Sequence, residues 1–230
     1  MLNENKIPSN QIQGLVMKFV NYISSQDKTN RVYFSDYMNE WLERRKTKVQ
    51  TTTYQEYVRI NNKYIVPYFK DLNIFIDEVS AKDIDKYYAY LSSIGLSNNT
   101  ILKHHANIHN ALKMAVIDGL IDRNVADLVE RPKKVKLLIG FYTQEEMQQL
   151  LNVLSGSRME TPVILACILG LRRSEVIGLM WDCVDFKTNT VQIKRKVYYN
   201  REKKIDAVSP LLKNKSSYRT LVMPNVLATY

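Results

Sequence analysis

The sequence predicts a mainly α-helical chain with a small β-sheet, built as two domains. Three observations carry that expectation. Apolar residues recur at helical spacing through most of residues 34–129. The run Glu130-Arg131-Pro132-Lys133-Lys134-Val135-Lys136 then interrupts the pattern, and a proline in a basic stretch without apolar period marks a linker over 131–140. Beyond Thr190 the period drops to two: Val191 and Ile193 alternate with Gln192 and Lys194, the pattern of a half-buried strand. The expected order is an N-terminal helix and connector over 1–33, a helical domain over 34–130, the linker, and a second domain over 141–230.

The elements follow in order. Ile12, Leu15, Val16, Phe19, Val20 and Ile23 form one face of a helix over 10–24, and the polar stretch 25–32 follows it. Ser35 is placed to cap a second helix that buries Tyr37, Met38, Trp41 and Leu42. Thr51, Thr52 and Thr53 are placed to cap a third, carrying Tyr54, Tyr57, Val58 and Tyr64 and stopping around Pro67. Ser80 caps a fourth, ended by Gly95; Ser97 opens a fifth, closed by Gly119. Residues 34–129 thus read as four main helices. In the second domain Thr143 and Glu146 form a capping box before Met147, Leu150, Leu151 and Leu154. Helical pieces follow over 161–169 and 174–179, with Gly170 as a breaker between them. Residues 205–208 and 220–223 join 190–193 in one small antiparallel sheet with a basic face, and Pro224-Asn225 opens a helix five residues before Tyr230.

Composition narrows the function. With 230 residues the chain can bury a core without staples. Two cysteines, Cys167 and Cys183, exclude a disulfide scaffold and a Cys-rich zinc module. No signal-peptide pattern and no apolar run long enough for a membrane span is present, so the expected compartment is the cytoplasm, with no membrane partner. The net charge is +10 and unevenly placed: residues 1–130 carry 16 basic and 15 acidic side chains, residues 131–230 carry 17 and 8. Between Lys187 and Arg219 there are ten basic residues and two acidic ones, the signature of a polyanionic partner, most often nucleic acid.

Three stretches carry candidate chemistry. In Leu169-Gly170-Leu171-Arg172-Arg173-Ser174-Glu175, a glycine turns the chain and Arg172 follows at a helix start, where a guanidinium grips a phosphate with two hydrogen bonds. Glu175 is close enough to brace it; the plainer reading is an Arg–Glu pair that only holds helices together. In Lys213-Asn214-Lys215-Ser216-Ser217-Tyr218-Arg219, two lysines sit on a turn between strand candidates, where a lysine reaches a phosphate and donates a proton, or is simply solvated. Arg44, Arg45, Lys46 and Lys48 precede the helix start at Thr51 and Thr53, a phosphate-binding arrangement or a helix end favoured by its dipole. Lys133, Lys134, Lys213 and Arg219 complete the candidate DNA contacts. His105 and His109, four residues apart, lack a third group at ligand spacing, so no metal site is expected. No glycine-rich loop is followed by Gly-Lys-Ser/Thr.

The Gly-Leu-Arg-x-Ser-Glu…Leu-x-Trp-x-x-Val-Asp pattern resembles the first catalytic-arginine motif of the tyrosine recombinases, or phage integrases. Residues 37–69, with Tyr37, Trp41 and Leu42, Thr53-Tyr54-x-x-Tyr57 and Ile65-Val66-Pro67-Tyr68-Phe69, are similar to their core-binding domain, and 213–220 to their β-hairpin lysine motif. The resemblance covers residues 34–224. It implies a SAM-like helical core-binding domain followed by part of an α+β catalytic domain, the two clamping double-stranded DNA. It implies enzymes that cut DNA with a tyrosine, form a 3′-phosphotyrosyl link and rejoin it without ATP, metal or other cofactor. Arg172 matches the arginine that holds the scissile phosphate, and Glu175 the acidic residue that supports it. Lys215, with Lys213 as runner-up, matches the lysine that protonates the leaving 5′-oxygen.

The family also uses a His-x-x-Arg motif, a second His or Trp, and the nucleophilic tyrosine, all well beyond the hairpin. Here the histidines are His104, His105 and His109, and no His-x-x-Arg occurs. Tyr198, Tyr199 and Tyr218 fall at strand or hairpin positions, and Tyr230 lies too early for the nucleophile. The expectation is an integrase cut short, binding DNA without turnover, with full-length recombinase subunits as possible partners and no small-molecule substrate. The alternatives are a decoy or regulator occupying a recombination site, and an unrelated helical regulator that reads the major groove and is indifferent to Arg172.

Overall fold

The computed structural model describes residues 31–136, 140–201, 203–210 and 215–228, together with Val16. The helix expected over 10–24 lies outside the described residues except for Val16, and Lys213 lies outside them too. The chain is mainly helical with small antiparallel sheets, and it divides into two compact units that part after Lys136.

Among its described residues the first unit holds five α-helices: α1 (Phe34–Arg45), α2 (Thr51–Ile60), α3 (Val66–Leu72), α4 (Ala81–Ser93) and α5 (Asn98–Ile117). The apolar stripe of α1 buries Tyr37, Met38, Trp41 and Leu42, and α5 contributes Ile101, Ile108 and Leu112 to the same core. Phe34 meets Phe69 edge-on at 4.7 Å and Trp41 lies 5.5 Å from Tyr57. Full burial of a large apolar side chain is worth about 1.5–3 kcal/mol, and this core joins such aromatic rings to buried Ile60, Ile65, Ile84 and Leu91.

Three local expectations are corrected here. Helix α1 starts at Phe34, and Ser35 is buried inside its first turn with no side-chain cap at the helix start. The start is fixed by tertiary pairing instead: the Phe34 N–H bonds the Ile74 carbonyl, the Ile76 N–H bonds that of Val32, and Tyr33 stacks on Phe75 at 4.4 Å. Helix α2 is preceded by Gln50, whose carbonyl accepts from the N–H groups of Thr53 and Tyr54; the three threonines are the first turn and do not cap it. Pro67 does not stop the chain. A wide π-helical turn over Asn61–Ile65 carries α2 into α3, and Pro67 sits in the first turn of α3, where the register shift accommodates its missing N–H. The buried Asn61 amide ties that turn to the Met38 carbonyl at 3.0 Å. The caps at Ser80 and Ser97 and the positive φ of Gly95 and Gly119 stand as expected.

After α5 the chain returns along its start. Asn99 exchanges two hydrogen bonds with the Val135 backbone, at 2.9 and 3.1 Å, and Asn98 donates to the Lys133 carbonyl at 3.2 Å. The first half of the expected linker is therefore held to the first unit, with Lys133 and Lys134 exposed.

The second unit contains α6 (Gln144–Leu154), α7 (Glu160–Leu169), α8 (Arg173–Ile177) and α9 (Asn225–Ala228). Its strands are β1 (Val184–Asp185), β2 (Thr190–Ile193), β3 (Lys196–Asn200), β4 (Ile205–Ser209) and β5 (Arg219–Val222). The single sheet expected from sequence is two. Strands β1, β2 and β5 form one antiparallel sheet, and β3 and β4, which among the described residues pair with each other alone, form a separate ribbon between β2 and β5 in sequence. Val191 and Ile193 point into the core with Ile164, Leu171, Met223 and Leu227. The ribbon lies against α8 where Gly178 brings the chain close: a Cβ there would stand 3.0 Å from the Lys196 Cα. The Thr143–Glu146 capping box is present, and Gly170 ends α7 with φ +62°.

Candidate functional site

Gly170 takes the left-handed conformation that L-residues adopt at a cost, and the chain then turns directly into α8. Arg172 precedes the first residue of α8, in extended conformation. Glu175, one turn on, reaches back and accepts from the Arg172 backbone N–H at 3.0 Å and from its Nη1 at 2.9 Å. Glu175 is 3% exposed while the Arg172 side chain is 60% exposed, so a buried carboxylate steers an open guanidinium.

A second cation converges on the same carboxylate. Arg219, 44 residues further along the chain, donates Nη2 to Glu175 Oε2 at 3.0 Å and Nη1 to Oε1 at 3.3 Å. Its Nη1 also donates to the Ser217 carbonyl at 3.1 Å. Burial alone would push the Glu175 carboxyl up; the bonds from Arg219 and from the Arg172 backbone and side chain outweigh it and hold the group at about 2. The carboxylate is ionised at any physiological pH and has no proton to offer. It is a fixed anion between two cations.

Of the candidate lysines, Lys215 lies in a described element: Lys215–Ser217 forms a short 3-10 turn leading into β5, and the following Tyr218 hydroxyl donates to the Pro210 carbonyl. Sequence reasoning grouped Arg219 with the DNA contacts and did not link it to Glu175. The signal was present in the strand period. Arg219 and Leu221 alternate on β5 as Ile193 and Val191 do on β2, and the observed register pairs Ile193 with Arg219 and Val191 with Leu221. An arginine on the inner face of a sheet requires a buried acid.

In the first unit the candidate cations at the end of α1 are unequal. Arg44 is tied to Glu40 and, at 2.6 Å, to Asp118, which also accepts from the Tyr37 hydroxyl at 2.8 Å. The Arg45 guanidinium lies 5.6 Å from the centre of the Trp41 ring. Lys46, Lys48, Thr51 and Thr53 are exposed. His104 and His105 are buried in the core, hydrogen-bonded to Tyr87 and Tyr88, and His109 bonds Asp127. Among the described residues no cluster of three or more His, Cys, Asp or Glu side chains is arranged to hold a metal, and no helix is long and apolar enough to cross a membrane. Trp181, from the arginine motif, is 81% exposed beside Phe186.

Known proteins share the fold that carries these residues. Residues 33–134 match the phage integrase SAM-like domain. The chain is 24% identical over 212 residues to a tyrosine recombinase XerC-like protein of Caldanaerobacter subterraneus subsp. tengcongensis, covering 85% of this chain and 53% of that protein. It is 25% identical over 189 residues to the tyrosine recombinase XerC of Bacillus pumilus, covering 80% of this chain and 55% of that one. Among solved structures, the Tn1549 transposon integrase in complex with a circular intermediate DNA superposes with a TM-score of 0.68 at 18% identity, covering 85% of this chain and 62% of that one. A lambda integrase dimer bound to a COC' core site superposes at 0.58 and 12% identity, covering 88% and 57%. With residues 33–134 matching the integrase SAM-like domain, the chain is similar over most of its length to tyrosine recombinases. It spans about half the length of these two curated relatives.

Proposed function

We propose that these 230 residues form the DNA-binding body of a site-specific recombinase and carry part of its phosphate-holding set. The observation that carries this reading is the exposed Arg172 guanidinium aimed by a buried Glu175 that is ionised at physiological pH. In this role Arg172 grips the scissile phosphate and stabilises the charge that develops on its oxygens. Lys215, or Lys213, protonates the departing 5′-oxygen as a tyrosine takes its place on phosphorus. Arg45, Lys46, Lys48, Thr51, Thr53, Lys133 and Lys134 hold the duplex backbone, with Arg44 contributing beside its acidic partners. The solved neighbours bound to DNA support a double-stranded DNA partner. Full-length recombinase subunits are the further partners this reading allows.

The same reading gives these residues binding without cutting. His104 and His105 are buried in the first unit and serve its core, and no His-x-x-Arg occurs in the sequence. A chain that occupies a recombination site without cutting it acts as a decoy or regulator. The test uses the purified chain and nicked suicide duplexes that trap a phosphotyrosyl adduct. We expect duplex binding whose affinity falls steeply with salt and no covalent adduct. An adduct overturns the non-cutting assignment, and duplex binding indifferent to salt overturns the whole reading.

A further inference from the structure

The structure assigns Arg219 a positioning role: it locks the Arg172-bearing helix to the lysine-bearing turn and makes no phosphate contact of its own. This rests on the reading of Arg172 as the phosphate-holding group. Three observations carry it. First, β5 places Arg219 opposite Ile193, on the face of the sheet that carries Val191, Ile193 and Leu221. A side chain there starts out directed into the unit, and Arg219 is 26% exposed against 60% for Arg172. Second, both terminal nitrogens of Arg219 are spent on protein: they span the two oxygens of Glu175, and one also holds the Ser217 carbonyl. Third, those two partners belong to the two halves of the candidate site. Glu175 orients Arg172, and Ser217 ends the turn that begins at Lys215.

The electrostatics explain why a second arginine is needed. A carboxylate as buried as Glu175 with a single cation partner retains unmet hydrogen-bonding capacity, and Arg172 is mostly in solvent. Arg219 supplies the counter-charge from the protein side. Arg172 then spends one Nη1 contact on Glu175 and keeps an exposed face for a phosphate. Without Arg219, Arg172 becomes the sole cation on a buried anion and is drawn toward it. One guanidinium therefore sets both the availability of Arg172 and the placement of the turn.

The test is a double-substitution cycle on affinity for a short random-sequence duplex, using the whole chain. R172A is expected to weaken binding about tenfold, the worth of a charge-assisted hydrogen bond. R219Q is expected to weaken it by a similar factor, and the double variant no further than either single one. R219K, which keeps the charge but loses the fork, is expected to recover part of the loss. Factors that multiply to about a hundredfold, the result for two independent phosphate contacts, overturn the role of Arg219 and leave that of Arg172 standing. An R172A variant of unchanged affinity defeats the phosphate-holding reading itself, and this role with it. Should R219Q fail to fold, the arginine guanidinium resonances of the unmodified chain decide: the Arg172 signal moves on addition of duplex and the Arg219 signal, whose Nη1 and Nη2 are held by Glu175 and Ser217, does not. An Arg219 signal that titrates with Arg172 overturns the assignment.

Discussion

The Tyr87 hydroxyl and His104 Nδ1 lie 2.8 Å apart in the core of the helical unit, and the next residue on each helix repeats the pair, Tyr88 with His105 at 2.5 Å. Burial pushes both tyrosine hydroxyls up, so they stay protonated and donate, and the histidines accept as neutral rings. Two adjacent bonds stitch α4 to α5 through groups whose charge state must not change.

That stitch predicts acid sensitivity. Burial, with Arg59 adding to it, lowers His104 to about 4; burial, with Arg131 and His109 adding to it, lowers His105 to about 4. Glu56 and Asp127 act in the opposite direction and do not prevail. Both folded values lie below the ordinary 6.5. The unfolded chain therefore binds protons that the folded chain refuses, and stability present above pH 6.5 drains away as the pH falls toward about 4. The melting temperature of the helical unit should drop by at least about 5 °C from neutral pH to the lower end of this range. His104→Gln with His105→Gln should flatten that slope while lowering the neutral-pH value. An equally steep slope in the double variant would assign the acid sensitivity elsewhere.

Ser80 tests a local feature that sequence and structure share. Its hydroxyl accepts from the Asp83 N–H, and the Asp83 carboxylate accepts from the Ser80 N–H at 3.1 Å, closing a capping box on α4. Ser80→Ala should cost about 1 kcal/mol in urea unfolding. The loss should fall on the transition of the helical unit and leave that of the second unit in place.

Gly178 and Gly170 are both small, for different reasons. Gly178 has an ordinary φ of −86°, but a Cβ would meet the Lys196 Cα at 3.0 Å and the Ser174 carbonyl at 3.1 Å. Gly178→Ala should push the β3–β4 ribbon off α8 and cost about 1–3 kcal/mol, as overpacking does. Gly170 has open space around its Cβ position but a φ of +62°. Gly170→Ala should cost about 1–2 kcal/mol through backbone strain alone. Amide exchange separates the two: the first substitution should loosen residues 196–209, the second the turn before Arg172. The same pattern in both variants would remove the distinction.

What the sequence disclosed follows from how local each determinant is. Ser80, Ser97, Thr143 and the terminating glycines act within one turn of their own position, and their roles were legible. The start of α1 depends on Tyr33 meeting Phe75, and passage through Pro67 depends on Asn61 bonding Met38, so neither could be read from neighbours in the chain. Tyr198 and Tyr199 read as strand or hairpin positions, but β3 could not be bounded because its faces do not alternate: Lys196, Val197, Tyr198 and Asn200 are all half-buried. The Gly-Leu-Arg-x-Ser-Glu stretch located Arg172 and Glu175. The third member, Arg219, is 44 residues from Glu175 and required the register of β2 against β5. Only the inward alternation of Arg219 and Leu221 hinted at it.

Glu175→Gln makes the sharpest test of that constellation. The amide keeps the size of the carboxylate and can still accept from the Arg172 N–H, but it removes the charge that Arg172 and Arg219 share. Charge-assisted bonds become ordinary ones, and an amide nitrogen is set against a guanidinium. The second unit should lose about 1–3 kcal/mol. Because the Glu175 carboxyl sits at about 2, below its ordinary 4.5, its contribution is complete above pH 4.5 and fades as the pH falls toward about 2. The stability difference between the original chain and the variant should therefore be constant from neutral pH down to about 4.5 and shrink below it. A difference that instead changes across the neutral range would mean that Glu175 titrates there, and the fixed-anion account of how Arg172 is presented would be wrong.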